Sequence, residues 1–173
     1  MVSGKILCSL SKETYIIKMV GRIQYLISLD LGLLIKKMEK TPPSNCIIDL
    51  TDATYMDSTS LGVVAGIKTL EYTQSIKIKS RIYSTNRFVT DIIKGVGFQT
   101  IFEIIEGAPN YVTSNIDELP TSEIAEEETR EIFLDAHKKL SSINEKNRLE
   151  FYDVVKLLEG ESPLDHFKEL IAS

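Results

Sequence analysis

The sequence predicts an α/β protein, with helices packed mainly on one side of a mixed sheet and a C-terminal α-helical extension. Three observations predict it. Strand-like runs alternate with helix-period segments from Lys5 to Ile105, the pattern of an α/β sandwich. Breakers separate them, among them Ser11–Thr14 and Thr41-Pro42-Pro43-Ser44-Asn45. After Leu119-Pro120 the strand signals stop and apolar residues recur at helical spacing. The expected division is an α/β domain over 1–119 and an acidic helical extension over 120–173.

Lys5–Leu10 and Tyr15–Gly21 read as two strands around a polar turn, with Gly21 closing the second. Over Tyr25–Met38, Leu26, Leu29, Leu33, Leu34 and Met38 mark a helical face, and Lys36, Lys37 and Lys40 suit the negative end of its dipole. Cys46–Leu50 is a short apolar run, as in a strand covered on both faces. A polar turn follows, then a helix from Ser58 to about Tyr72 whose Gly62 and Gly66 leave a smooth strip for a close neighbour. Each glycine costs about 1 kcal/mol against alanine in a helix, so close packing on the sheet or a docked partner should offset it. Ile76–Ile82 alternates as a half-exposed strand, and Ser84-Thr85-Asn86 opens a third helix through Ile93. Gly95–Phe98 stops that helix and Ile101–Ile105 forms a last strand. In the extension, Ile132, Phe133, Ala136 and Leu140 line one helix behind Glu126–Glu128, and Phe151, Val154, Val155 and Leu158 line a second. Ser162-Pro163 opens a third with Leu164, Phe167, Leu170 and Ile171. These helices could fold back on the α/β domain, pair with a second copy as a homodimer, or form a further binding surface.

Composition narrows the function classes. The chain has 173 residues, 43% of them hydrophobic, and its apolar runs fall short of a membrane span. Met1-Val2-Ser3-Gly4-Lys5 leads directly into strand-like sequence and does not read as a signal peptide, so the expected location is the cytoplasm. The net charge of −5 is uneven, +1 over 1–119 and −6 over 120–173. Neither part offers the basic face that nucleic acid requires. Cys8 and Cys46 sit in apolar strands and read as buried free thiols, while His137 and His166 lack neighbours at ligand spacing. No metal or cofactor is expected.

The most informative stretch is Ile47–Gly62, read as buried strand, polar turn and a helix opening on Ser58. A helix N-terminus carries unpaired amides and about half a positive charge, so it favours an anion there. Ser58 is therefore either a plain N-cap or a phosphorylation site. Asp49, Asp52 and Asp57 read as capping and solvating groups. Asp57 as a receiver-type phosphoacceptor lacks an acidic pair at the end of the first strand. No Gly-rich phosphate loop, G-x-S-x-G elbow or histidine near a candidate nucleophile supports an enzyme, so no catalytic residue is assigned.

Met56-Asp57-Ser58-Thr59-Ser60-Leu61-Gly62, behind the strand Ile47–Leu50, resembles the signature of the STAS domain. More narrowly it is similar to the bacterial anti-sigma factor antagonists, whose motif commonly reads M-D-S-[ST]-G-L-G. The element order, Gly21, and Gly97-Phe98 before Ile101–Ile104 resemble that family over about residues 4–106. Two departures are Ser60, where glycine is usual, and Gln24, where many members carry an acid. The resemblance implies phosphorylation at Ser58, with Thr59 and Ser60 as secondary candidates. It implies a partner surface of Asp57, Ser58, Thr59, Ser60, Leu61, Gly62 and Gln24. The implied partners are an anti-sigma factor or serine kinase of the GHKL type, bound by the unmodified form, and a PP2C-type phosphatase that reverses the modification. Phosphate adds about −1.5 to −2 charges, enough to break an interface tuned to a neutral hydroxyl. The alternative is a constitutive STAS scaffold in which Ser58 serves only the helix.

Overall fold

Alternation along the central strands sorts this sheet into a dry face and a polar one. In Thr14–Ile23 (β2) the side chains of Ile17, Met19 and Ile23 are fully buried, whereas Lys18 and Arg22 between them are half-buried. Asn45–Met56 (β3) pairs parallel with β2 and buries Cys46, Ile48 and Leu50 on the same dry face. The computed structural model describes residues 4–11, 13–112 and 115–160. The helix expected over Leu164–Ile171 lies outside the described residues.

Four further strands complete a mixed sheet in the order β5-β4-β3-β2-β1-β6. Lys5–Ser11 (β1) is antiparallel to β2, while Lys79–Ser84 (β4) and Glu103–Glu106 (β5) extend the parallel side. Asp117–Glu118 (β6) adds a two-residue edge antiparallel to β1. Between the strands lie Tyr25–Met38 (α1), Ser58–Gln74 (α2) and Arg87–Gly95 (α3). Leu31, Ile35, Met38, Val64, Ile67, Leu70, Val89 and Ile93 of these helices join the dry face in one apolar cluster. After β6 come Glu126–Ser141 (α4), Glu145–Glu150 (α5) and Tyr152–Glu159 (α6). α4 folds back along α2 and adds Ile132, Ala136 and Leu140 to the same cluster.

Several elements differ from expectation for identifiable reasons. β3 does not end at Leu50 but runs on to Met56, because Asp52, Ala53, Tyr55 and Met56 pair with Val20, Gly21, Arg22 and Ile23 of β2. The segment read as a polar turn belongs to the sheet. Gly21 does not close β2; it sits inside the strand at φ 75°, beside a register shift, and pairing continues to Ile23↔Met56. β4 starts three residues later than Ile76, and β5 follows a 3-10 turn over Phe98–Thr100. On α1, Leu26 is 62% exposed and the buried stripe includes Leu31 and Ile35. This helix is apolar nearly all round, so spacing could not choose its face.

On the polar face, Lys18 stands opposite Asp49 and meets Asp49 at 3.6 Å and Asp52 at 2.6 Å. Asp49 accepts from the Thr51 amide, the Thr51 hydroxyl and, at 2.7 Å, the Tyr111 hydroxyl. Burial pushes this carboxyl up, but the Thr51 and Tyr111 bonds and Lys18 together hold it below the usual carboxylate value. Burial and the facing Asp49 carboxylate raise the Tyr111 hydroxyl well above an ordinary tyrosine. Among the described residues, no group of three or more His, Cys, Asp or Glu side chains could hold a metal ion.

Candidate functional site at the start of the second helix

β2 and β3 end side by side at Ile23↔Met56, so the helices that follow them, α1 and α2, begin next to each other. Parallel neighbouring strands therefore bring Gln24 and Asp57–Gly62 to one end of the fold, though 32 residues separate Tyr25 from Asp57.

Asp57 joins the two helices. It is the N-cap of α2 in extended conformation, and its Oδ1 accepts from the Ser60 amide at 2.8 Å and the Ser60 hydroxyl at 2.7 Å. Its Oδ2 accepts from the Tyr25 amide at 2.7 Å, capping α1, whose own N-cap Gln24 makes no side-chain cap bond. One carboxylate thus serves the positive ends of two helices. The cap of α2 is Asp57 and not Ser58; the capping alternative for Ser58 placed the boundary one residue late.

The three hydroxyls that follow have different environments. Thr59 is 7% exposed. Ser60 is 1% exposed and accepts from the Ser28 hydroxyl of α1 at 2.6 Å, so the serine in place of the usual glycine stitches α1 to α2. Ser58, the first residue of α2, is half-buried, and its Oγ lies 3.1 Å from Nε2 of His137 on α4. His137 Nδ1 is 2.8 Å from the Phe133 carbonyl, which can only accept, so Nδ1 carries the proton. In the neutral ring Nε2 then accepts from the Ser58 hydroxyl. Phe151 meets the imidazole edge-on at 5.9 Å, and Phe133 meets Tyr25 of α1 edge-on at 5.4 Å.

The small-residue strip of α2 is used by the chain itself. A Cβ on Gly62 would lie 2.2 Å from the Ala136 carbonyl oxygen, so α4 crosses α2 backbone to backbone. One on Gly66 would meet the Lys139 ammonium at 3.2 Å. Leu61 is buried in the core, while Gln24 stays exposed.

The STAS domain model matches residues 10–110, more than half of the chain. The chain belongs to the STAS domain family. This STAS chain is similar to an anti-sigma factor antagonist from Mycobacterium paratuberculosis, at 15% identity over 59% of this chain and 85% of the other, with a TM-score of 0.49. It is also similar to the anti-sigma factor antagonist SpoIIAA in its unphosphorylated form, at 14% identity over 59% of this chain and 87% of the other, with a TM-score of 0.48. No curated protein sequence matches it. The STAS match stops at residue 110, so α4 and His137 lie beyond it.

Sequence reasoning missed His137, because the histidine that meets Ser58 is 79 residues away. The only signals were a histidine on the apolar stripe of α4 and two glycines on α2 awaiting a close neighbour. A serine with an imidazole at hydrogen-bond distance has the outline of a nucleophile and its base. Here the ring is 6% exposed and braced on its own helix by a backbone carbonyl, so the contact fastens α4 over Ser58.

Proposed function

We propose that this STAS protein is an anti-sigma factor antagonist, a binding switch with no catalytic residue of its own. The unphosphorylated Ser58 form holds an anti-sigma factor or serine kinase of the GHKL type, and phosphorylation of Ser58 releases it. The observation that carries this reading is the division of labour in the first turn of α2. Asp57 caps the helix, Thr59 and Ser60 are buried, and Ser58 is half-buried and takes no part in capping. A phosphate on Ser58 would meet the positive end of α2 and part Ser58 from His137, and a partner would then meet a new dianion. Of the remaining residues expected on the partner surface Gln24 is exposed, whereas Leu61 is buried and Gly62 is covered by Ala136; a PP2C-type phosphatase resets the cycle in the cytoplasm. The working division is a STAS domain over 1–119 and an extension over 120–173.

The test is a phosphopeptide map of the protein from its host, with Ser58→Ala and Ser58→Glu as parallel baits read by mass spectrometry. The switch requires phosphate on Ser58 and an anti-sigma partner held by the alanine form and released by the glutamate form. Identical partner lists favour the second reading, a constitutive scaffold. The observation on that side is the bond between Ser58 and His137, which gives the hydroxyl an internal role.

A further inference from the structure

The geometry points to α4 as a detachable occupant that the chain supplies to its own partner face: the surface around Ser58 and Gly62 is a helix-docking site, held shut in cis. This inference rests on the reading of that surface as the one a partner meets. Its support is the placement of α4. The Ala136 backbone fills the space above Gly62, His137 holds the Ser58 hydroxyl, and Ile132 and Leu140 are buried on either side. While α4 is seated, Gly62 is covered and the Ser58 hydroxyl is engaged, so a second helix cannot take the same place. The same close contact leaves no room for a phosphoryl group between Ser58 Oγ and the imidazole.

Three features make α4 separable from the sheet. Between β5 and α4 the regular structure among the described residues is the two-residue β6, so α4 can leave without unpairing the central strands. The contact is not sealed: an open groove of about 600 Å³ lies between α1, α2 and α4, lined by Ile35, Gly66, Leu70, Ile132 and Lys139 among others. The outer side of α4 is polar, with Glu127, Glu131, Asp135 and Lys138 exposed, so the helix has a solvated face whether docked or not. At its far end Asn147 donates to the Val96 and Leu140 carbonyls at 2.9 Å, which keeps α5 on the end of α3 as the pivot.

The occupant also describes the partner. A competing helix needs a small residue opposite Gly62, a hydrogen-bonding side chain opposite Ser58, and large apolar residues one turn to each side. Because α4 is tethered, it competes at high effective concentration. The apparent affinity of a partner is then reduced by the fraction of molecules that are open.

The test uses the full chain and a fluorescein-labelled peptide of residues 124–143 as probe. Ala136 is 1% exposed, so Ala136→Glu places an unpaired charge in the crossing and ejects α4. The proposal requires the A136E chain to bind the wild-type peptide at least about tenfold more tightly than the wild-type chain does. It also requires a peptide carrying the same Glu not to bind. Absence of binding by a folded A136E chain, or loss of the fold, overturns the proposal and makes α4 a fixed part of the core. A second measurement needs no variant. Native-state hydrogen exchange should give the amides of 126–141 at least about tenfold less protection than those of β2 and β3, and equal protection overturns the proposal. Neither readout involves a kinase, a phosphate or an anti-sigma factor, so failure here is separable from failure of the switch.

Discussion

Asp57→Ala removes the one group that caps both α1 and α2, and its cost can be worked from three hydrogen bonds. Losing an N-cap costs about 1 kcal/mol, within a range of about 0.5–2. Here the Ser60 amide in α2 and the Tyr25 amide in α1 lose their acceptor together. Both bonds are charge-assisted, at 2.8 and 2.7 Å, which places each toward the upper part of that range. The Ser60 hydroxyl also loses Asp57 but is not orphaned, because the Ile23 carbonyl lies 3.2 Å away. The expected loss is about 2–3 kcal/mol, or about 5–10 °C in Tm for a chain of this size. Asp57→Asn is the internal control. Its amide oxygen can still accept from Ser60, but its NH2 then faces the Tyr25 amide, donor against donor. It should cost about half as much as the alanine. Urea denaturation followed by circular dichroism reads both variants. A loss below about 0.5 kcal/mol for Asp57→Ala, or equal losses for the two, would refute the two-helix cap.

Four further outcomes follow from other parts of the structure. Gly62→Ala should gain about 1 kcal/mol of helix propensity in α2 and cost about 1–3 kcal/mol of overpacking against Ala136; hydrogen exchange should quicken in α4 and not in β2 or β3. Asp49, held below the usual carboxylate value, contributes stability that is complete above about pH 4 and lost as pH falls through its folded value. Asp49→Asn should therefore flatten the acid limb of urea midpoints against pH and cost about 2 kcal/mol at neutrality. Tyr111, raised above the ordinary value, contributes stability that is complete below about pH 10 and fades as pH rises through its folded value, so Tyr111→Phe should flatten the alkaline limb. Burial pushes the Cys8 thiol up to about 11 and the Cys46 thiol up to about 12, so iodoacetamide at neutral pH should label neither in the folded chain and both after unfolding.

The element order and the start of α2 were legible because apolar periodicity and breakers are local signals. What was not legible depends on partners distant in sequence. Thr51, Asp52 and Thr54 look like a turn until β2 lies alongside, and then Lys18 explains the acids. The α1 face was ambiguous because its leucines surround the helix, and only the position of α4 and the sheet decides that Leu31 is inside and Leu26 outside. The cap boundary slipped by one residue because Asp57 and Ser58 are both good capping types and only backbone conformation separates them. At the site, Ser58, Gly62 and Gln24 could be marked from the sequence, whereas His137 and the backbone crossing at Ala136 could not. No short-range rule links residues 79 apart.

That separation also has a meaning in time. A ribosome adds about 5–20 residues per second, so the 79 residues from Ser58 to His137 represent about 4–16 s of synthesis. Throughout that interval the strands and helices that set Ser58 in place emerge ahead of the helix that covers it. Every newly made molecule therefore passes through an uncovered youth, in which its Ser58 surface meets the surrounding proteins before its own tail arrives to compete.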